Sequence, residues 1–359
     1  MIGFLFLVVS LAVRRINCLN LVSQIQQSHR IKIIRHSVEV RDTTLNTERS
    51  TIPISSEWEL DCFSRPVLKD GKKLWELLVC DSNGQWQEVV ELPASSVNSV
   101  KVREAIESVI AQAPVKPTVI KYFRRQMVNM LSIALGVTAQ NRAGLRVLPS
   151  RTTHALFCWL EQRHRQVYPS MDGYDRSLSP AGVGDRPAAL AGAASRLPDG
   201  LRGEQYAFVT LPLSEFLPGG GVTSDNVGVG RLIDAAEILQ LNNPDLSPLD
   251  NCEDISSINV PGVAILSRRS EPLAMSLTAI ELAAVRADSS TRQLVLDVGL
   301  DDSYLLARLD EGQRDEAAAF DKAKSQLNGL HFVVVQRPDD DEVAPAGFWL
   351  LRDVADLPV

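Results

Sequence analysis

The chain has 359 residues, 45% of them apolar and 23% charged. These are the values of a soluble globular protein rather than a disordered or membrane-embedded one, with material for two cores. The net charge of −7 excludes a uniformly basic surface. It also conceals a division. From Glu57 to Tyr168 there are 15 Lys and Arg against 11 Asp and Glu, and from Leu201 to Val359 there are 12 against 26. One half is equipped to meet an anion and the other is not.

Residues 1–13, MIGFLFLVVSLAV, are almost all apolar but too few to span a bilayer. No acid occurs before Glu39, whereas Arg14, Arg15, Arg30, Lys32 and Arg35 are all positive. A basic, acid-free, Ser-bearing leader has the composition of an organelle transit peptide. An apolar head before it suits two-step import into a plastid bounded by extra membranes. Residues 1–56 are therefore expected to be a targeting segment and tail, with no membrane insertion of the mature protein.

A first α/β domain is expected over 57–169. Trp58–Phe63, Lys73–Cys80 and Gln85–Leu92 read as strands, separated by Lys69-Asp70-Gly71-Lys72 and Asp81-Ser82-Asn83-Gly84, both with turn chemistry. Ser95 or Asn98 can cap a helix over Val100–Ala113, which Pro114 and Pro117 end. A strand at Val119–Phe123, a helix from Arg125 to Leu135 stopped near Gly136, a strand at Leu145–Leu148 and a helix over Thr152–Tyr168 complete the domain. The order β-β-β-α-β-α-β-α is that of a ribonuclease-H-like fold, an analogy of topology alone.

Residues 170–203, rich in Ser, Pro, Gly and Ala, read as a linker. A second, acidic α/β domain with smaller sheets is expected over 204–359. Its strands are Gln205–Leu211, Pro261–Ser267, Leu294–Val298, Tyr304–Leu309, His331–Gln336 and Gly347–Arg352. Its helices are Ala274–Ala287 and Asp315–Leu327. Asp339–Glu342 reads as a solvated acidic tip.

The five cysteines, Cys18, Cys62, Cys80, Cys158 and Cys252, form no CxxC pair, so neither a zinc site nor a disulfide framework is indicated. Cys62 and Cys80 read as small core residues in a reduced compartment. There is no P-loop or G-x-S-x-G elbow, and Gly228-Val229-Gly230 is a weak cofactor signal without a third glycine in register. His154 and His164, ten residues apart, are out of reach for one metal. They suit an interface, a phosphate or plain exposure.

One stretch stands apart. Ser108–Leu160 contains no Asp or Glu in 53 residues, yet holds Lys116, Lys121, Arg124, Arg125, Arg142, Arg146 and Arg151. Such a run suits a surface made for nucleic-acid phosphate. The competing reading is that these cations pair with carboxylates from elsewhere in the fold. Tyr122 and Phe123 adjoin the cations, and strand alternation leaves only one of them available to stack on a base. A metal-dependent nuclease is the enzymatic alternative, with Asp61, Glu104 and Glu107 as candidate carboxylates. However, Arg124-Arg125 stand where a further acid is needed, and Asp61 has Arg65 as a competing structural partner.

The blocks WELDCFSRP (58–66), GKKLWELLVCD (71–81), YFRRQMVNM (122–130), PSRTTHALFCWLEQR (149–163), YAFVTLP (206–212), PGVAILSRRSEPLA (261–274), LNGLHFVVVQ (327–336) and GFWLLRD (347–353) together resemble a plant, algal and cyanobacterial family. That family includes the chloroplast translation activator for the photosystem I reaction-centre B subunit. The resemblance spans Trp58 to Asp353 and implies a non-catalytic, A/U-rich RNA-binding protein of the plastid stroma. It would act on a photosystem messenger 5′ untranslated region, with no cofactor. Arg65, Arg124, Arg125, Gln126, Asn129 and Arg151 fall in the matching blocks. Charge and grouping assign them to RNA, together with Lys121 and Phe123. The departures are Cys62 and the glycine-rich insertion Gly219–Gly230. A third reading is a scaffold for photosystem assembly whose acidic domain docks a protein partner.

Overall fold

A computed structural model describes residues 53–178, 194–239, 257–288, 291–300, 302–338 and 344–353. The expected targeting segment up to residue 52, part of the linker (179–193) and the acidic tip at 339–342 lie outside the described residues. The described chain is α/β, with one five-stranded and two four-stranded sheets.

The five-stranded sheet starts with β1 (Glu57–Lys69) and β2 (Lys72–Asp81). Asp70 and Gly71 join them with left-handed φ values of 51° and 73°. This two-residue turn matches the natural strand twist and sets Lys69 opposite Lys72. β3 (Gln87–Leu92) adds antiparallel to β2. The chain then crosses through α1 (Ser99–Gln112) to β4 (Val119–Tyr122), parallel to β1, and through α2 (Val128–Gln140) to β5 (Arg146–Pro149), parallel to β4. The sheet order is β3-β2-β1-β4-β5. α1 begins at Asn98, not Ser95, because the Asn98 carboxamide accepts from the amides of Val100 and Lys101 at 3.0 Å.

Strand alternation divides the two faces. Trp58, Leu60, Cys62, Ile120 and Tyr122 pack under Val102, Ile106 and Ile110 of α1 and Leu131 and Leu135 of α2. On the other face Leu78, Cys80 and Phe123 pack against Leu156, Phe157 and Leu160 of α3 (His154–Gln162). Each fully buried side chain of this size contributes about 1.5–3 kcal/mol. Cys62 and Cys80 are core residues, as expected.

The second half builds two sheets, ordered β6-β11-β10-β9 and β13-β12-β8-β7. Their strands are β6 (Ser195–Arg196), β7 (Gln205–Pro212), β8 (Asn259–Leu266), β9 (Leu282–Asp288), β10 (Gln293–Val298), β11 (Asp302–Arg308), β12 (Leu330–Gln336) and β13 (Gly347–Arg352). The helices are α4 (Ala235–Leu239), α5 (Ser270–Ala279) and α6 (Arg314–Gln326). Leu273 and Leu277 of α5 and Phe320 of α6 share one core with Val263, Val285, Leu296 and Val333 of the sheets.

Three predicted elements are corrected. The helix expected over Ala274–Ala287 ends at Ala279; Glu281 takes a left-handed φ of 53°, and Leu282–Asp288 pairs with β10 instead. α2 starts after a 3₁₀ turn (Arg125–Met127) and runs through Gly136 to Gln140, its buried face being worth more than one glycine costs. The helix expected to reach Tyr168 widens into a π turn at Arg163–Val167. The Gly228–Gly230 loop lies along β13, and a Cβ on Gly230 would collide with the Phe348 backbone. Close packing accounts for that glycine without a cofactor.

Candidate nucleic-acid interface

Lys116 donates locally, to the carbonyls of Ile110, Ala111 and Ala113 at the end of α1, but other cations of the acid-free stretch are answered from a distance. Asp61, on β1, is fully buried and accepts Arg124 Nε at 2.6 Å, Arg124 Nη2 at 2.8 Å and Arg65 Nη1 at 2.9 Å. Burial alone would raise the Asp61 carboxyl. The charges of Arg124 and Arg65 and their hydrogen bonds outweigh it and hold it at about 2. Arg65 reaches on to Glu76 at 3.1 Å. Glu76 also accepts Arg163 Nη2 and the Tyr168 hydroxyl, each at 2.7 Å. This is a buried chain of charge-assisted bonds tying β1, β2 and the segment after α3 together.

Other cations join the two halves of the chain. Lys121 Nζ sits 3.0 Å from both Glu57 and Glu281, and donates to Thr152 at 3.0 Å. The Arg151 guanidinium donates to the Gly299 carbonyl at 3.1 Å. In the reverse direction, Arg352 of β13 holds the buried Glu161 of α3 at 2.6 Å, and Arg231 lies 3.8 Å from Glu59. Glu59 accepts the Leu156 amide at 2.8 Å. Burial, only partly offset by Arg231 and that amide, pushes its carboxyl up to about 8.

The expected open cationic groove on Arg65, Lys121, Phe123 and Arg124 is therefore corrected in its placement. All four are buried, because Arg65 and Arg124 find the buried Asp61, Lys121 is held by the half-buried Glu57 and Glu281, and the Phe123 ring packs on Phe157 at 4.4 Å. Arg151 is half-buried against the second half of the chain. Arg125 is half-buried, while Gln126 and Asn129 are exposed at the start of α2. These last three fall together on the 3₁₀ turn and the first turn of α2. His154 is buried, and His164 stands edge-on to Tyr168 at 5.0 Å. Neither lies on an open surface.

The nuclease carboxylates do not converge. Asp61 faces α3 and has both oxygens bound to guanidinium groups. Glu104 and Glu107 ride on α1, across the sheet, where they pair with Lys101 and Arg142. Among the described residues no three His, Cys, Asp or Glu side chains form a metal-holding group.

Sequence reasoning passed over Phe63 and Trp75. They lie on the rim of the core beneath α1 and α2, both half-buried, with ring centroids 5.9 Å apart. The Arg124 guanidinium lies 4.0 Å from the Phe63 ring centroid. The legible signal was Trp75 two residues after Lys73, hence on the same strand face.

The family model described as RNA-binding protein Tab2/Atab2 N terminal matches residues 57–163, and the C-terminal domain model of the same proteins matches residues 186–352. The chain belongs to the Tab2/Atab2 family. The chloroplastic TAB2 homolog of Arabidopsis thaliana is 33% identical over 307 residues, covering 84% of this chain and 76% of that protein. The chloroplastic TAB2 homolog of Zea mays is also 33% identical, covering 84% and 73%. This Tab2-family protein is a chloroplast protein. Among solved structures, the HTLV-2 integrase catalytic core domain with magnesium overlaps 32% of this chain and 74% of its own at 13% identity. Its TM-score of 0.22 is too low to bear any argument.

Proposed function

We propose that this protein binds single-stranded, A/U-rich RNA in the 5′ untranslated leader of a photosystem messenger and promotes its translation without catalysis. The observation that carries the reading is the match of both halves of the chain, in order, to the two models of one RNA-binding family. The occupied oxygens of Asp61 favour a binding role over nuclease chemistry.

The chain order of the first half and the sheet order β3-β2-β1-β4-β5 support a ribonuclease-H-like first domain over 57–169. A linker over 170–203 and an acidic domain over 204–359 complete the division. The acidic domain is the surface we assign to a protein partner.

Fluorescence anisotropy with the full chain tests the function. An A/U-only RNA of about 16 nucleotides should bind more tightly than a G/C-rich strand of equal length. Its affinity should fall with salt at a slope of about −0.7 per phosphate contacted. No binding at low salt overturns the proposal. Mg²⁺-dependent cleavage of an RNA–DNA hybrid by the same sample would favour the nuclease instead.

A further inference from the structure

The family match names RNA but no surface for it, and the residues that sequence alone assigned are largely enclosed. Two observations point to another place. The first is the aromatic pair. Phe63 and Ser64 are the last two paired positions of β1 before its bulge, which lies between Ser64 and Leu68. Trp75, on β2, pairs with Ser64. The two rings meet at 5.9 Å, half-buried and packed against the core that α1 and α2 share with the sheet. Arg124 lies against Phe63 at 4.0 Å and is itself clamped by two hydrogen bonds to Asp61. The ring is thus fixed from below by a cation that cannot reorient.

The second observation is the charge around that pair. Lys72 and Lys73, both exposed, form the outgoing side of the β1–β2 turn. Lys73 lies two residues from Trp75, on its strand face. Just after Arg124, which lies against Phe63, the 3₁₀ turn carries exposed Gln126 and the first turn of α2 carries exposed Asn129. Flat rings, with exposed lysines shortly before Trp75 and exposed carboxamides shortly after the arginine that touches Phe63, suit unstacked bases with an adjacent backbone. Rings accept any base face, ammonium groups take phosphate, and carboxamides bond base edges.

We propose that single-stranded RNA stacks on Phe63 and Trp75, with its backbone on Lys72 and Lys73 and base edges at Gln126 and Asn129. In this arrangement Arg124 and Asp61 are positioning residues that hold the Phe63 ring. The proposal rests on the RNA-binding reading above and names the site for it.

The test uses the full chain and the A/U-only RNA. Phe63→Leu and Trp75→Leu keep apolar volume at the rim but remove the ring faces. Each should weaken binding roughly five- to hundredfold with the melting transition retained. Lys72→Ala with Lys73→Ala changes only exposed side chains, and should flatten the salt slope by about 1.4. Photocross-linking of 5-iodouracil RNA to the wild-type protein needs no variant, and should mark a peptide containing Phe63 or Trp75. If the wild type binds while the lysine variant keeps its salt slope and the cross-links fall only in 204–353, the platform is wrong and the RNA function stands. If the wild type binds no RNA, both fall together.

Discussion

Arg124 and Asp61, 63 residues apart in sequence, form a two-pronged buried ion pair at 2.6 and 2.8 Å. It joins the end of β4 to the middle of β1 and turns an arginine that looks made for phosphate into part of the core. Removing one partner of a buried pair leaves the other charge uncompensated, which is far worse than removing both.

Asp61→Asn is the first test of this arrangement. It leaves Arg124 buried without a charged partner and Arg65 with Glu76 alone, and should cost about 3–5 kcal/mol in urea unfolding. The pH dependence has a definite sign. The folded carboxyl sits at about 2, below its ordinary 3.8. Its contribution is complete above pH 3.8 and is lost as pH falls through 2. The wild type should therefore lose stability across that window, whereas the Asn variant should lose less. Equal acid sensitivity of the two would refute the ion-pair account.

Glu59 makes the opposite prediction. Its folded value of about 8 lies above the ordinary 4.5, so the folded protein keeps a proton that the unfolded chain releases. Stability is then full below pH 4.5 and declines as pH rises toward 8. Glu59→Gln keeps an acceptor for the Leu156 amide and removes the titration. Its unfolding free energy should exceed that of the wild type at pH 8, by an amount on the order of a few kcal/mol, and converge with it near pH 5. A variant less stable than the wild type at pH 8 would contradict the burial argument.

How much of this was legible in the letters depends on range. The Asp70-Gly71 turn, the Asn98 cap and the alternation of β1 and β2 are local signals, and the structure realises them. Leu277, Ile280 and Val285 share a helix-like spacing, so β9 was hidden inside an expected helix until Glu281 turned left-handed. The charge tally failed for the same reason on a longer scale. Lys121 is answered by Glu281 and Arg151 by the Gly299 carbonyl, partners that no window around residues 108–160 contains. A cation's sign is local, but its exposure is tertiary.

The Arg352–Glu161 bond links β13 to α3 across the two halves, with both side chains 4% exposed at a separation of 2.6 Å. Arg352→Met alone should cost about 3–5 kcal/mol, because Glu161 is left buried and charged. Arg352→Met with Glu161→Met should recover most of that loss. A double-mutant cycle by chemical denaturation measures the coupling. Additive losses would mean that the pair does not hold the halves together.

Gly230 offers a test of packing alone. The loop carrying it runs beside β13, with the Arg231 amide donating to the Phe348 carbonyl at 3.0 Å and the Leu350 amide donating to the Arg231 carbonyl at 2.9 Å. A methyl group on Gly230 meets the backbone of Phe348, which is paired with β12 near the start of β13 and has no flexible end to swing aside. Gly230→Ala should therefore strip the loop from β13 and destabilise the protein by about 1–3 kcal/mol, read as faster amide exchange at Arg231 and Leu350. Gly219, whose added methyl meets nothing within 4 Å but whose φ is 89°, separates the two causes. Its Ala variant should lose stability through backbone strain alone, with exchange at Arg231 and Leu350 unchanged. Slow exchange at both amides in Gly230→Ala would show that β13 yields, and that close approach is not why glycine stands there.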